Sequence, residues 1–285
     1  MKQKITPCLW YDGAGEKAAA LYCSVLADAK IASRSPLVTE LVISGQNLTL
    51  LDGGPMYKPN PSISLYYVAE TAAEIDRIWN AFSDGGEVMM PLGKYPFSGK
   101  YGWITDRYGI SWQLTIGKLS DTGGQRITPF FLFCGKQYGR VDDAFAHYSA
   151  IFKNAKTLSV SRYGPGEQPD EEGKVRVGDL EMNGQRFKFI ESAHAHKFAF
   201  NEGVSLTIHC DTQEEIDYYW EKLTGFGGEE SMCGWLKDKF GVSWQVVPTA
   251  LTKIMSDPVK AGKAAKAFMS MRKLDIEQIV QASLA

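Results

Sequence analysis

Apolar and polar residues alternate through ITPCLWY, Ile5 to Tyr11, and the β-rich run ITPFFLF, Ile127 to Phe133, reads the same way; both predict strands. A helical period follows each. Ala18, Leu21, Tyr22, Val25 and Leu26 fall on one helical face, as do Phe145, Tyr148, Ile151 and Phe152. VTELVISGQNLTLLD then reads as two strands turned at Ser44-Gly45, and RVGDLEMNGQRFKFIE as two strands turned at Asn183-Gly184, a dipeptide suited to the positive φ of a tight hairpin. The strands SISLYYV and GVSLTIHC come next. Each leads into a helix opened by a capping box, Thr71 with Glu74 and Thr212 with Glu215. Ile75, Ile78, Trp79 and Phe82, like Ile216, Tyr219, Trp220 and Leu223, give the i, i+3, i+4, i+7 stripe of a half-buried helix. GWITD with ISWQLTI, and GWLKD with VSWQVVP, supply the last strands. The order β-α-β-β therefore occurs twice in each half of the chain.

The halves are copies. DRYGISWQL, starting at Asp106, returns as DKFGVSWQV at Asp238, and five blocks recur in the same order. Their spacing is the size of a domain, so the pattern predicts module one over 1–117, a polar Gly-containing linker over 118–126 and module two over 127–248. Residues 249–285 have no counterpart. Ala264, Phe268, Met271, Ile276, Ile279 and Val280 predict a helical tail broken near Ser256-Asp257-Pro258, either packed on its own modules or clasping a second copy. Copy one also carries a longer stretch before its last strands, EVMMPLGKYPFSGKYGW against EESMCGW, which reads as a flap or as an edge of inter-module contact.

Composition narrows the function. The chain has 285 residues, 44% hydrophobic, and 31 Lys+Arg against 33 Asp+Glu. That balance lacks the positive excess a phosphate backbone requires, so no nucleic-acid partner is expected. There is no apolar run of membrane-spanning length and no signal-like start, which predicts no membrane partner and a cytoplasmic location. Five scattered cysteines without a C-x-x-C argue against a disulfide framework or a structural zinc site.

A strand, an alanine-rich helix ending in A-x-Y, a hairpin with Gly-Gln and a closing D-x-x-G-x-S-W-Q strand resemble the vicinal oxygen chelate superfamily of glyoxalase I, extradiol dioxygenases and bleomycin-resistance proteins. ETAAEIDRIW, DTQEEIDYYWEKL and CGWLKDKFGVSWQVVP are similar to its PhnB-like group, often labelled 3-demethylubiquinone-9 3-methyltransferase. The resemblance implies an α+β fold of two tandem modules built from paired βαβββ units around a small-molecule cleft, and a homodimer. It also implies where a metal would sit: a His in the first strand and a Glu in the last. Those positions hold Pro7 and Pro129, and Gln113 and Gln245, while the middle strands begin with Ile63 and Val204. A proline has no side-chain lone pair and a neutral Gln is a weak ligand, so no metal is expected.

With Gln113 turned inward as the metal-binding counterpart is, alternation puts Ser111 and Thr115 on the same face, and Ser243 with Gln245 in copy two. Anchored at Pro7 and Pro129, the same alternation turns Leu9, Tyr11, Phe131 and Phe133 inward. His194 and His196, two apart on an extended segment, complete the candidate set as ligand-binding or acid-base groups, or as ordinary residues of a polar loop. The inward residues either line a ligand pocket or fill a closed core. No Gly-rich loop opens a helix as S-adenosylmethionine or nucleotide sites require, so no cofactor is predicted. The expectation is a small-molecule-binding protein without a bound metal or methyl transfer. A metal-assisted lyase, isomerase or dioxygenase, and a drug-sequestering resistance protein, stand as alternatives.

Overall fold

In the computed structural model, residues 3–255 and 257–285 are described. The first half contains β1 (Ile5–Tyr11), α1 (Gly15–Val25), β2 (Ala29–Arg34), β3 (Val38–Ile43), β4 (Gln46–Asp52), β5 (Ile63–Ala69), α2 (Ala72–Ser83), β6 (Glu87–Tyr95), β7 (Ser98–Thr105) and β8 (Ser111–Ile116). The second repeats the order with β9 (Ile127–Cys134), α3 (Val141–Ile151), β10 (Lys156–Arg162), β11 (Val175–Met182), β12 (Gln185–Ser192), β13 (Val204–Cys210), α4 (Gln213–Thr224), β14 (Glu229–Glu230), β15 (Trp235–Lys237) and β16 (Ser243–Pro248). Each half is thus βαβββ-βαβββ. The periodicity missed β2 and β10 because both are exposed along nearly their whole length and carry almost no apolar signal. The stretch read as a flap is the β6–β7 hairpin.

The strands form two eight-stranded sheets, one in the order β14-β15-β16-β13-β1-β4-β3-β2 and the other β10-β11-β12-β9-β5-β8-β7-β6. By contacts the chain forms two compact units, one of the chain up to Cys8 with Ser205–Ala285, the other Leu9–Val204. The second sheet lies wholly in the larger unit, and it is not the sheet of one module. β5 of the first half pairs antiparallel with β9 of the second, Tyr66 opposite Thr128, so β5–β8 of copy one and β9–β12 of copy two share one sheet. Pairing of the halves is accomplished within one chain.

The helices cover one face of that sheet. Phe131 stacks on Phe189 at 4.9 Å between ring centres, Phe145 of α3 meets Phe189 edge-on at 5.0 Å, and Trp112 packs against Phe82 of α2 at 5.1 Å. Gly102 is required beneath α2, because a Cβ there would lie 2.4 Å from the Trp79 ring. The capping boxes form as predicted, with Glu74 N–H donating to Thr71 Oγ1 at 3.1 Å and Glu215 N–H to Thr212 Oγ1 at 3.3 Å.

The repeated D-x-x-G-x-S-W sequence is explained by its aspartate. Asp106 Oδ1 accepts from the N–H groups of Tyr108 and Ile110, and Oδ2 accepts from Trp112 Nε1 at 3.0 Å. Asp238 does the same for Phe240, Val242 and Trp244. One buried carboxylate closes the turn and fixes the core tryptophan of the strand that follows. In copy one it also accepts from Tyr22 of α1 at 2.6 Å.

The tail forms α5 (Thr249–Met255), α6 (Pro258–Phe268) and α7 (Ile276–Leu284) and packs on its own unit. Cys233 and Gly234 donate their N–H groups to Met271 and Arg272 carbonyls, and Lys273 pairs with Asp217 of α4 at 2.6 Å. Ala264, Leu274 and Ile279 are buried together, with Leu251, Ile254, Phe268 and Met271 around them. Ser256, in the predicted break, lies outside the described residues. Among the described residues no helix is long and apolar enough to cross a membrane.

Candidate functional site

The face of the larger unit's sheet that turns away from the helices is set by strand register. Tyr66 pairs with Gln113 on one side and with Thr128 on the other, Gln113 pairs with Trp103, and Phe130 pairs with Lys188. Paired residues share a face. Gln113 therefore stands with Ser64, Tyr66, Ser111, Thr115, Trp103, Thr128 and Phe130.

Gln113, only 5% exposed, is held at both ends of its amide. Its Nε2 donates to Ser64 Oγ at 2.7 Å, and its Oε1 accepts from Tyr101 OH at 2.8 Å. Both partners matter, since a buried amide left unpaired costs about 1–3 kcal/mol. Trp103 Nε1 donates to Ser111 Oγ at 2.7 Å, and Thr115 shares a hydrogen bond with Ser98 at 2.9 Å. Burial pushes the phenols of Tyr101 and Tyr66 above the ordinary tyrosine range, so both stay protonated and can donate. Across the face, Lys188 pairs with Asp179 at 2.6 Å and holds its ammonium 5.2 Å from the Tyr66 ring centre, a cation–π contact.

Tyr101 is itself covered. Tyr95 and Phe97, at the end of the β6–β7 hairpin, stack on each other at 5.6 Å and meet the Tyr101 ring edge-on at 5.6 and 5.1 Å. Phe97 remains 68% exposed, so the hairpin presents an aromatic surface outward.

In the smaller unit, β13 and β16 pair in parallel, Ser205 with Ser243 and Thr207 with Gln245, while Trp235 lies opposite Gln245. Gln245 Nε2 donates to Ser205 Oγ at 2.9 Å, repeating the Gln113–Ser64 contact. His209, further along β13 on the same face, makes a 3.0 Å hydrogen bond with Thr6. It is a hydrogen-bonded strand residue.

Ser111, Gln113, Ser243 and Gln245 thus lie where alternation placed them, in two matching Ser/Gln sets. Tyr11, Phe131 and Phe133 do not. Phe131 and Phe133 are fully buried in the aromatic core beneath α3, and Tyr11 makes a 3.1 Å hydrogen bond with Tyr22 of α1. For Phe131 and Phe133 the physical reason is parity. Pro129 pairs with Leu65, which pairs with Trp112, so Pro129 belongs to the helix face and counting in twos from it selects the wrong side. The residues of β9 on the Gln113 face are Thr128 and Phe130.

His194 and His196 do not join the set. They follow β12, whose last residue Ser192 pairs with Cys134, six positions along β9 from Thr128, or about 20 Å of strand. His196 Nε2 lies 2.9 Å from Ser192 Oγ, and burial followed by the neighbouring His194 lowers its pKa below the usual imidazole value. Sequence reasoning overlooked Ser64, Ser205 and Tyr101. The signal was present in the repeat: a shared Ser-Leu opens β5 and β13, and YGW in copy one becomes CGW in copy two.

The residues on these faces do not suit a divalent metal. Both ends of the Gln113 amide are taken, its neighbours are hydroxyls and phenols, and among the described residues no group of three His, Cys, Asp or Glu converges. The strand-to-helix turn Gly13-Ala14-Gly15 leads straight into α1 with Gly15 N–H bound to Asp52, so it is not the Gly-rich loop that S-adenosylmethionine sites use.

A family model described as 3-demethylubiquinone-9 3-methyltransferase matches residues 3–115 and again 125–247. A solved structure of a putative 3-demethylubiquinone-9 3-methyltransferase, PhnB protein, from Bacillus cereus is 35% identical over 40% of this chain and 100% of its own, with a TM-score of 0.39. Protein PA1353 from Pseudomonas aeruginosa is 26% identical over 40% of this chain and 98% of its own, at 0.36. Glyoxalase I from Zea mays is 12% identical but aligns over 89% of this chain and 95% of its own with a TM-score of 0.55, a likeness of fold. No curated protein matches.

Proposed function

The chain belongs to the family described as 3-demethylubiquinone-9 3-methyltransferase, with two tandem modules in the vicinal oxygen chelate fold, and from that premise we propose that it binds a small aromatic or amphipathic molecule without a resident metal and without transferring methyl groups. One observation carries the reading. In both copies the closing-strand glutamine donates to a serine on the adjacent strand, Gln113 to Ser64 and Gln245 to Ser205, at 2.7 and 2.9 Å. That contact orients a neutral amide as a hydrogen-bonding group on the sheet face that turns away from the helices. The carbonyl then serves as an acceptor, met in copy one by Tyr101 OH, and pairing with a donor is the chemistry of recognition, whereas carboxylates and imidazoles are the stronger ligands of a Lewis-acid centre. Tyr66, Phe130 and the tryptophans Trp103 and Trp235 supply the aromatic walls around the two amides.

The test is a metal analysis of purified protein joined to thermal-shift measurements with divalent cations, S-adenosylmethionine and a panel of aromatic metabolites. Bound ligand stabilises by mass action, so stabilisation is expected from members of the panel and not from the cations or the methyl donor. Stoichiometric metal, or methyl transfer from S-adenosylmethionine, overturns the reading.

A further inference from the structure

The two glutamine faces differ in one respect that the repeat makes measurable. In copy one, the chain itself satisfies the face: Tyr101 OH donates to Gln113 Oε1 at 2.8 Å and Trp103 Nε1 to Ser111 Oγ at 2.7 Å. In copy two the Gln–Ser clamp is retained, but among the described residues nothing donates to Gln245 Oε1. Ser243, only 1% exposed, has a buried hydroxyl with no partner. The same two polar atoms are matched in one copy and unmatched in the other.

The cause lies in the strands beside them. The long hairpin that carries Tyr101, β6 and β7 with nine and eight residues, shrinks to β14 and β15 with two and three. Tyr101 is replaced by Cys233, which sits in a turn at φ 61° with its thiol directed at the Met269 carbonyl, 3.8 Å away. Among the described residues no side chain takes over the phenol's hydrogen bond to the glutamine carbonyl. Gln245 is accordingly half-buried where Gln113 is closed off.

We infer that the two faces have divided roles: the Gln113 face is filled by the chain's own Tyr101, whereas the Gln245 face is the ligand site and takes a phenolic molecule whose hydroxyl meets the Gln245 carbonyl. This rests on the small-molecule-binding reading above. The chain displays the complement of its own site. A half-buried carbonyl oxygen can accept from a donor and repels a carboxylate, and in copy one the donor that meets it is a phenol hydroxyl. The orphaned Ser243 hydroxyl offers a second hydrogen bond, and Trp235 opposite Gln245 provides the flat apolar wall that Trp103 provides opposite Gln113. Thr207, paired with Gln245, and the His209–Thr6 pair border the face.

The experiment uses the full chain, ¹⁵N-labelled, titrated with p-cresol, which is the tyrosine side chain as a free molecule, and with 4-methylanisole, which accepts but cannot donate. p-Cresol is expected to shift the Gln245 side-chain amide and the Trp235 indole N–H while leaving the Trp103 indole unmoved. 4-Methylanisole should bind at least tenfold more weakly. Gln245→Leu should lose p-cresol binding by at least tenfold, and Gln245→Glu, which keeps an acceptor oxygen, should retain it. If Gln245→Leu fails to fold, the comparison of Trp235 with Trp103 and of the two ligands in the unaltered protein decides. Shifts centred on Trp103 and Gln113 overturn the division of roles while leaving small-molecule binding standing. Equal affinity for the two probes, binding indifferent to Gln245→Leu, or no shift at all overturns the phenol assignment, and the metabolite panel reports on the broader reading separately.

Discussion

Arg126, just before the first strand of the second copy, and Glu74, on the second helix of the first copy, form a buried ion pair at 3.0 Å. Arg126 also donates to the Val68 carbonyl at 3.1 Å, pairs with Glu70 at 3.3 Å and lies over the Tyr67 ring. The relationship recurs in the smaller unit, where Lys4, just before the first strand of copy one, pairs with Glu215 of copy two at 2.7 Å. In both places a cation preceding one copy's opening strand meets the capping-box glutamate of the other copy. The pairs mark the exchange of halves that builds shared sheets within a single chain.

The two pairs differ in burial, and their substitution should differ accordingly. Arg126→Met leaves Glu74, whose side chain is 12% exposed, without its cation and with only the Tyr67 hydroxyl and the Glu70 N–H as donors, and is expected to destabilise by about 3 kcal/mol in urea unfolding. Lys4→Met, where the partners are 23% and 32% exposed, should cost no more than about 1 kcal/mol. Equal effects would contradict the assignment of Arg126 as the buried organiser.

Asp106 serves four donors: Tyr22, Trp112 and two backbone N–H groups. Asp106→Asn puts an N–H₂ where either Trp112 Nε1–H or the two backbone N–H groups need an acceptor, so at least one buried group loses its partner. A loss of about 1–3 kcal/mol is expected for each group left unpaired. Near-ultraviolet circular dichroism, which reports the Trp112 environment, should change with it; an unaltered spectrum and midpoint would refute this role.

Tyr101→Phe removes the donor to Gln113 and keeps the ring under Tyr95 and Phe97. The expected cost is about 1–2 kcal/mol in thermal or urea unfolding, with faster amide exchange in the β6–β7 hairpin. Phe97→Ala, which strips the exposed cover, should speed that exchange while leaving the midpoint nearly unchanged. Slower exchange in either variant would rule out the hairpin as a cover held by its aromatic contacts.

His196 is predicted to titrate below the ordinary imidazole value of 6.5, because burial and then the charge of His194 disfavour its protonated form. A folded-state pKa below the unfolded one means that protonation opposes folding. Its contribution to stability is therefore complete above about pH 6.5 and is lost as the pH falls through the folded value. Ring-proton NMR chemical shifts across pH 4.5–8 give the midpoint, and a midpoint at or above 6.5 would disprove the placement.

Much of this was legible in the residues themselves. The duplicated blocks, the capping boxes at Thr71 and Thr212, the hairpin at Asn183-Gly184 and the helix stripes are local patterns, and local patterns follow from backbone and side-chain preferences a few residues apart. Alternation likewise put Ser111 with Gln113 and Ser243 with Gln245, because spacing of two preserves a face whatever the sheet. It could not say which face holds Phe131 and Phe133, since a period of two defines parity only relative to an anchor, and Pro129 proved to belong to the helix side. Nor could spacing reveal that β5 pairs with β9, that Arg126 meets Glu74 or that Tyr101 closes Gln113 while no described residue closes Gln245 in the same way. Those facts depend on strand register, burial and long-range hydrogen bonds, which exist only once distant segments share one sheet.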